Sequence, residues 1–209
     1  MPQPLRKSCH VDFSQSLRHR PEHATVLGQI IGVSGRLEAC LGWLLATLTA
    51  DHSQITVSMF HSVVSTDAQR AMLDAAAAAT LTAVELDEFN SLMTDFRSRY
   101  RERSRLVHNS WGESNDHPDK ALWCRSSDLT LMMANILSAK DQADAVVRNQ
   151  GAHIWAKCMA YTVKDLQDVN ARLELYTNRV LSFTQALLIA HPVVGEEAKR
   201  ALEKPQKPQ

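Results

Sequence analysis

A chain of 209 residues with 23 basic and 23 acidic side chains carries no net formal charge. That balance excludes the global positive field of a histone-like or duplex-coating protein and confines any nucleic-acid contact to a local patch. Seven glycines and seven prolines are few for this length, so the composition favours helix.

The four cysteines (Cys9, Cys40, Cys124, Cys158) are scattered without a C-x-x-C pair and read as free thiols of a reducing, cytoplasmic compartment. Residues 1–21, polar and carrying Pro2, Pro4 and Pro21, read as a flexible N-terminal arm. The opening MPQPLRKSCHVDF lacks the apolar centre of a signal peptide. No uninterrupted apolar run is long enough to span a bilayer, so no membrane partner is expected.

A first helix is predicted over 22–50, where Leu27, Ile30, Ile31, Leu37, Leu41, Leu44, Leu45 and Leu48 recur at helical spacing. A short helix follows over 54–64, then the cap cluster Ser65-Thr66-Asp67 and a helix through the alanines at 75–79. A long helix over 83–108 carries Leu86, Phe89, Leu92, Met93, Phe96, Tyr100 and Val107. Residues 111–119 are rich in turn formers, and short strands are predicted near 121–125 and 153–162. Residues 127–150 have helical composition without a clean stripe. Thr162-Val163-Lys164-Asp165 fits a capping box before a last amphipathic helix bearing Leu166, Val169, Leu173, Tyr176, Val180, Phe183 and Leu187. The fold class is therefore all-α: an up-and-down helical bundle over 22–192, with a small insertion of β character at about 110–162 and a tail at 193–209.

The segment Arg97 to Trp111, RSRYRERSRLVHNSW, holds five alternating arginines and a histidine. At ~100° per residue Arg97, Arg101 and Arg105 face solvent, whereas Arg103 falls within ~20° of Phe96 on the apolar face and Arg99 lies near its border. A buried arginine needs a partner, and Glu38 on the apolar stripe of the first helix offers one. That pair reads either as a buried salt bridge fixing helix register or as support for a working arginine. In a regular helix Arg103 and His108 point ~140° apart. They share a face if the helix tightens or ends near 106–109, as the turn formers Asn109, Ser110 and Gly112 permit, or if two copies of the chain line one cleft.

Three other features have ordinary readings. His19 and His23 stand at i, i+4, but Pro21 lies between them and no third ligand is near, so no metal is expected there. Trp111 and Trp123 are more simply hairpin anchors than base-stacking platforms. No glycine-rich phosphate loop, Ser/His/Asp set or paired-carboxylate site stands out, and no cofactor is expected.

Arg103-Ser-Arg-Leu-Val-His108 matches the R-x4–6-H signature near the end of a long helix and resembles the HEPN superfamily. The continuation Asn109-Ser110-Trp111 and the late Tyr161-Thr-Val-Lys-Asp-Leu166 are similar to uncharacterised members of that family. The likeness covers roughly residues 22–111 and 162–190, with Ser104 where the family commonly has another polar residue, often Asn. It implies a helical bundle that often dimerises and, in many members, a metal-independent ribonuclease. On that basis His108 is the general acid or base and Arg103 the phosphate clamp. Asn109, Arg99 and Tyr100 stand as substrate-binding or supporting residues, and Glu38 holds Arg103. The function implied is RNA cleavage in a toxin or defence role, as a homodimer held in check by an inhibitory partner protein. The alternative is a non-catalytic helical binding module of the same fold.

Overall fold

The computed structural model describes residues 2–5, 9, 11–14, 17–50, 54–138 and 155–191. Among them the chain is mostly helical, with one small antiparallel four-stranded sheet. The helices are α1 (Pro21–Leu48), α2 (Gln54–Ser62), α3 (Thr66–Thr80), α4 (Ala83–Val107), α5 (Ser126–Ser138) and α6 (Val163–Ala190). The strands are β1 (Gln3–Pro4), β2 (Ser110–Gly112), β3 (Ala121–Cys124) and β4 (Met159–Tyr161), in the order β1-β4-β3-β2. The sequence expectations at 139–154 and 193–209 lie outside the described residues.

Local chemistry explains the boundaries. Pro21 occupies the first turn of α1, where its missing N–H costs nothing. Ser65 caps α3 by accepting from Ala68 N at 3.3 Å. Thr82 and Glu85 close a capping box on α4, with Thr82 N donating to Glu85 Oε2 at 2.9 Å. The predicted box before α6 forms too: Thr162 N donates to Asp165 Oδ2 at 3.0 Å, and Asp165 N to Thr162 Oγ1 at 3.1 Å. Helix α1 is the one described helix long and apolar enough, by length and composition, to cross a membrane. Its stripe Val26, Ile30, Val33, Leu37, Leu41 and Leu44 is buried, the pattern of a core helix.

The chain divides into two compact units, Met1–Gly32 with Arg101–Arg172, and Val33–Tyr100 with Leu173–Gln209. The first unit holds the sheet. All four residues of β3 are buried, because both faces are covered. On one face Leu5, Leu122, Cys124, Cys158 and Ala160 form a core against which Cys9, Val11, Phe13 and Leu129 pack. The other face carries Trp111, Trp123 and Tyr161. Cys124 and Cys158 are hydrogen-bonded thiols at the end of the β3–β4 pair, and all four cysteines are free.

Two expectations are corrected here. Residues 1–21 were expected as a flexible arm, but Gln3–Pro4 pair with β4, Leu5 is buried, and Asp12 bridges Glu113 through two 2.8 Å backbone bonds. The arm is held because it covers the apolar face that a four-stranded sheet alone leaves open; Pro4 is tolerated since β1 is an edge. Residues 111–112 were expected in a turn, but they lie in β2, where Trp111 stands opposite Trp123. Gly112 is required by this closure: a Cβ there would sit 2.8 Å from Asp12 O and from the Phe13 ring.

The second unit is helical. Arg70 donates to Met93 O at 2.6 Å and Arg97 to Asp67 Oδ1 at 3.0 Å, so α3 and α4 run antiparallel across the short connection at 81–82. Glu85–His191, Phe89–Phe183 and Asp95–Arg179 pair in opposite chain directions and make α4 antiparallel to α6. Phe60, Leu73, Ala77, Phe89, Met93, Phe96, Tyr176 and Val180 fill the core. The alanine run contributes Ala77, fully buried, as expected of a close helix contact.

Candidate functional site

The site lies in the first unit, where α4 ends. Helix formation leaves its last carbonyls without intrahelical donors. Here side chains from outside the helix supply them. Trp111 Nε1 donates to Leu106 O at 2.9 Å, Trp123 Nε1 to Arg105 O at 2.7 Å, and Asn109 Nδ2 also to Arg105 O at 2.8 Å. Each such bond contributes about 1 kcal/mol, and each buried carbonyl left bare would cost about 1–3 kcal/mol. The helix end is fixed from the sheet side, and the sequence supplies the two indoles by pairing Trp111 with Trp123 across β2 and β3.

This termination brings Arg103 and His108 together. His108 N still bonds Ser104 O at 3.1 Å, but the helix stops at Val107 and the imidazole folds back. Arg103 Nη1 then lies 3.4 Å from His108 Nε2, although a continued helix would separate them by ~140°. A guanidinium can only donate, so Nε2 is the acceptor and the ring proton sits on Nδ1. The contact is long and easily exchanged for a better acceptor. His108 is exposed and Arg103 half-buried, so the pair meets solvent while its backbone is clamped. Leu106 takes the buried position at the exit, and Val107, expected on the apolar face, is half-buried.

Asn109 joins two helices. Its Nδ2 caps α4 at Arg105 O, and its Oδ1 accepts from Ser126 N, at 3.1 Å, at the start of α5. Ser126 Oγ in turn donates to His108 O at 3.4 Å and lies 3.1 Å from Ser110 Oγ. Asn109 was expected to orient substrate; its amide is committed at both ends to holding the loop that carries His108. Ser126 was not singled out from sequence, and only the hairpin that returns the chain beside α4 makes it a neighbour.

Arg105 was expected as an ordinary solvated charge. It is exposed, yet its guanidinium lies over the Trp123 ring, 4.4 Å from the centroid. Arg97 and Arg101 are exposed as expected. The remaining candidates belong to the second unit. Arg99 is half-buried, Tyr100 is half-buried with its ring 4.7 Å from that of Phe96, and Glu38 is half-buried on α1.

His19 and His23 diverge rather than converging on an ion. His19 Nδ1 donates to Glu113 Oε2 at 3.1 Å, beside Arg20. His23 is buried and donates from Nε2 to Tyr161 O at 3.1 Å. Burial pushes its imidazole below the ordinary histidine range, against the Tyr161 bond that partly restores it. Among the described residues no group of three or more His, Cys, Asp or Glu side chains is arranged to hold a metal ion. In comparisons with known proteins, no family model matches this chain, and neither a curated protein nor a solved structure matches it significantly.

Proposed function

We propose that this protein is a HEPN-like endoribonuclease that cuts RNA without a metal, with His108 moving the proton and Arg103 holding the phosphate. The observation that carries the reading is the 3.4 Å approach of Arg103 Nη1 to His108 Nε2 at a clamped, solvent-facing helix exit. The unprotonated Nε2 takes the proton of a ribose 2′-hydroxyl, whose oxygen attacks the adjacent phosphorus. The bond from phosphorus to the 5′-oxygen breaks, and that oxygen receives a proton from an imidazolium. The products are a 2′,3′-cyclic phosphate and a 5′-hydroxyl. Arg103 exchanges its long bond to Nε2 for the phosphate oxygens and offsets the charge that builds on them.

The same reading makes the long helices an up-and-down bundle, and the protein a cytoplasmic homodimer in which two motifs line one cleft. An inhibitory partner protein keeps a toxin or defence nuclease silent. A non-catalytic binding module of the same fold is the second reading. It is favoured by one feature, the exposed Ser104 where the resembling proteins commonly carry Asn.

The deciding experiment incubates purified protein with RNA in the presence of a chelator and reads the products and their end groups on a gel. Wild type is expected to cleave, leaving cyclic phosphate ends. His108→Ala and Arg103→Ala proteins that melt like wild type should not. Variants that fold and cleave as fast as wild type would sink the assignment. A wild type with no cleavage and no effect on growth when expressed favours the binding module.

A further inference from the structure

The first unit leaves three arginines without acids around the α4 exit. Arg101, Arg105 and Arg125 are exposed and form no ion pair among the described residues. Nearby acids are spent elsewhere: Glu102 pairs with Arg172, and Asp128 with Lys157 at 2.8 Å. Arg101 and Arg105 stand at i, i+4 and share a face of α4. Arg125 directly follows β3 and precedes α5, so it stands two residues beyond Trp123 where the chain turns from the sheet into the helix. Arg105 lies on the Trp123 ring, and the Asn109 amide spans from Arg105 O to the nitrogen of the residue after Arg125. Three like charges are thus held at one edge, next to the backbone that carries His108.

Unneutralised cations so close together repel one another and favour a polyanion in which charges repeat at short intervals. Contact with the Trp123 ring, 4.4 Å from its centroid, restrains the Arg105 side chain before any ligand arrives, which lowers the ordering cost of a bidentate phosphate contact. We propose that Arg105, Arg125 and Arg101 form a backbone-binding edge for single-stranded RNA, leading the strand to His108. The outer face of the stacked guanidinium also serves as a platform for an unpaired base, which a duplex does not present. The choice of RNA as the polyanion rests on the ribonuclease reading above.

The test measures binding and cleavage separately. A fluorescent oligouridylate of about twelve nucleotides is titrated with the His108→Ala protein over a range of salt concentrations and followed by anisotropy. Adding Arg105→Ala or Arg125→Ala should each weaken binding on the order of tenfold and flatten the salt dependence by about 0.7 in log–log slope. Arg97→Ala, whose arginine is already paired with Asp67, should change neither. Arg125→Ala leaves the Trp123 stack untouched and guards against a loss caused by misfolding. Unchanged affinity in both exit variants, an equal loss in Arg97→Ala, or equally tight binding of a duplex overturns the inference. If wild type cleaves RNA while these variants bind normally, the edge fails and the nuclease reading stands; binding that behaves as expected without wild-type cleavage reverses that result.

Discussion

Helix α4 carries arginines into both units and uses them in opposite ways. In the second unit Arg97 is held by Asp67 at 3.0 Å on a stretch whose other face, Phe89, Met93 and Phe96, is core. In the first unit Arg101 and Arg105 have no acid among the described residues, Arg105 lies over an indole, and Arg103 reaches a histidine. The residue type and the helix are the same. What differs is what stands opposite: α3 offers a carboxylate, whereas β2 and β3 offer two tryptophans whose N–H groups are already spent on the helix end. An arginine beside a carboxylate is a surface ion pair contributing about 0–1 kcal/mol. An arginine beside a donor-exhausted ring keeps its charge for something else.

The comparison breaks most sharply on catalysis. His108→Ala should lower RNA cleavage by about 10²–10⁴-fold, while Arg97→Ala leaves the rate within experimental error, both measured under single-turnover conditions. Equal effects would show that α4 acts as one basic surface. Stability and function should also come apart along the helix. Trp123→Ala and Phe89→Ala each remove a large buried ring and should cost about 3–5 kcal/mol by urea denaturation. Assayed well below their melting temperatures, only Trp123→Ala should lose cleavage, because of the two rings only Trp123 bonds the end of α4 that carries His108, whereas Phe89 packs in the second unit.

Much of this was legible in the sequence. The Arg103–His108 spacing and the turn formers after it place the motif at a helix end, and the Thr162 capping box marks the start of α6. The contact itself was not legible, since it depends on the helix stopping at Val107 rather than running on. That stop is enforced by Trp111 and Trp123, which are twelve positions apart in sequence and opposite each other in the sheet. The two tryptophans flanking a turn-rich stretch were the available signal: paired across a hairpin, they point at one helix end. The arm was misread because β1 is only two residues long and carries Pro4, so it has no strand pattern of its own; its place is set by an edge that β4 leaves open.

The first unit should also be the more acid-sensitive. His23 is buried there with its pKa depressed chiefly by desolvation, while the unfolded chain titrates at about 6.5. Below that pH the unfolded chain binds a proton that the folded chain resists, so unfolding is favoured. Stability from this group is complete above about pH 6.5 and falls as pH drops from there toward the depressed folded value. Urea midpoints at pH 7.5 and at successively lower pH should therefore fall more steeply for wild type than for His23→Gln, which keeps an N–H donor for Tyr161 O but does not titrate. Parallel pH dependences would remove His23 as the cause.

The smallest effect belongs to the second unit and has the opposite sign. Tyr176 on α6 is buried at 2 % exposure, and its hydroxyl has no hydrogen-bond partner among the described residues. Burial raises its pKa, so the group stays neutral and charge plays no part in its cost. A buried hydroxyl gives up its bonds to water, and without a replacement that loss opposes folding. Tyr176→Phe keeps the ring, its packing and its volume while removing the bare oxygen. It should leave stability unchanged or raise it by up to about 1 kcal/mol, against the usual trend for core substitutions. A loss of stability in equilibrium denaturation would mean that the hydroxyl is bonded in solution, by water for instance. Cleavage should not move, since Tyr176 is buried in the second unit and the Arg103–His108 pair lies in the first.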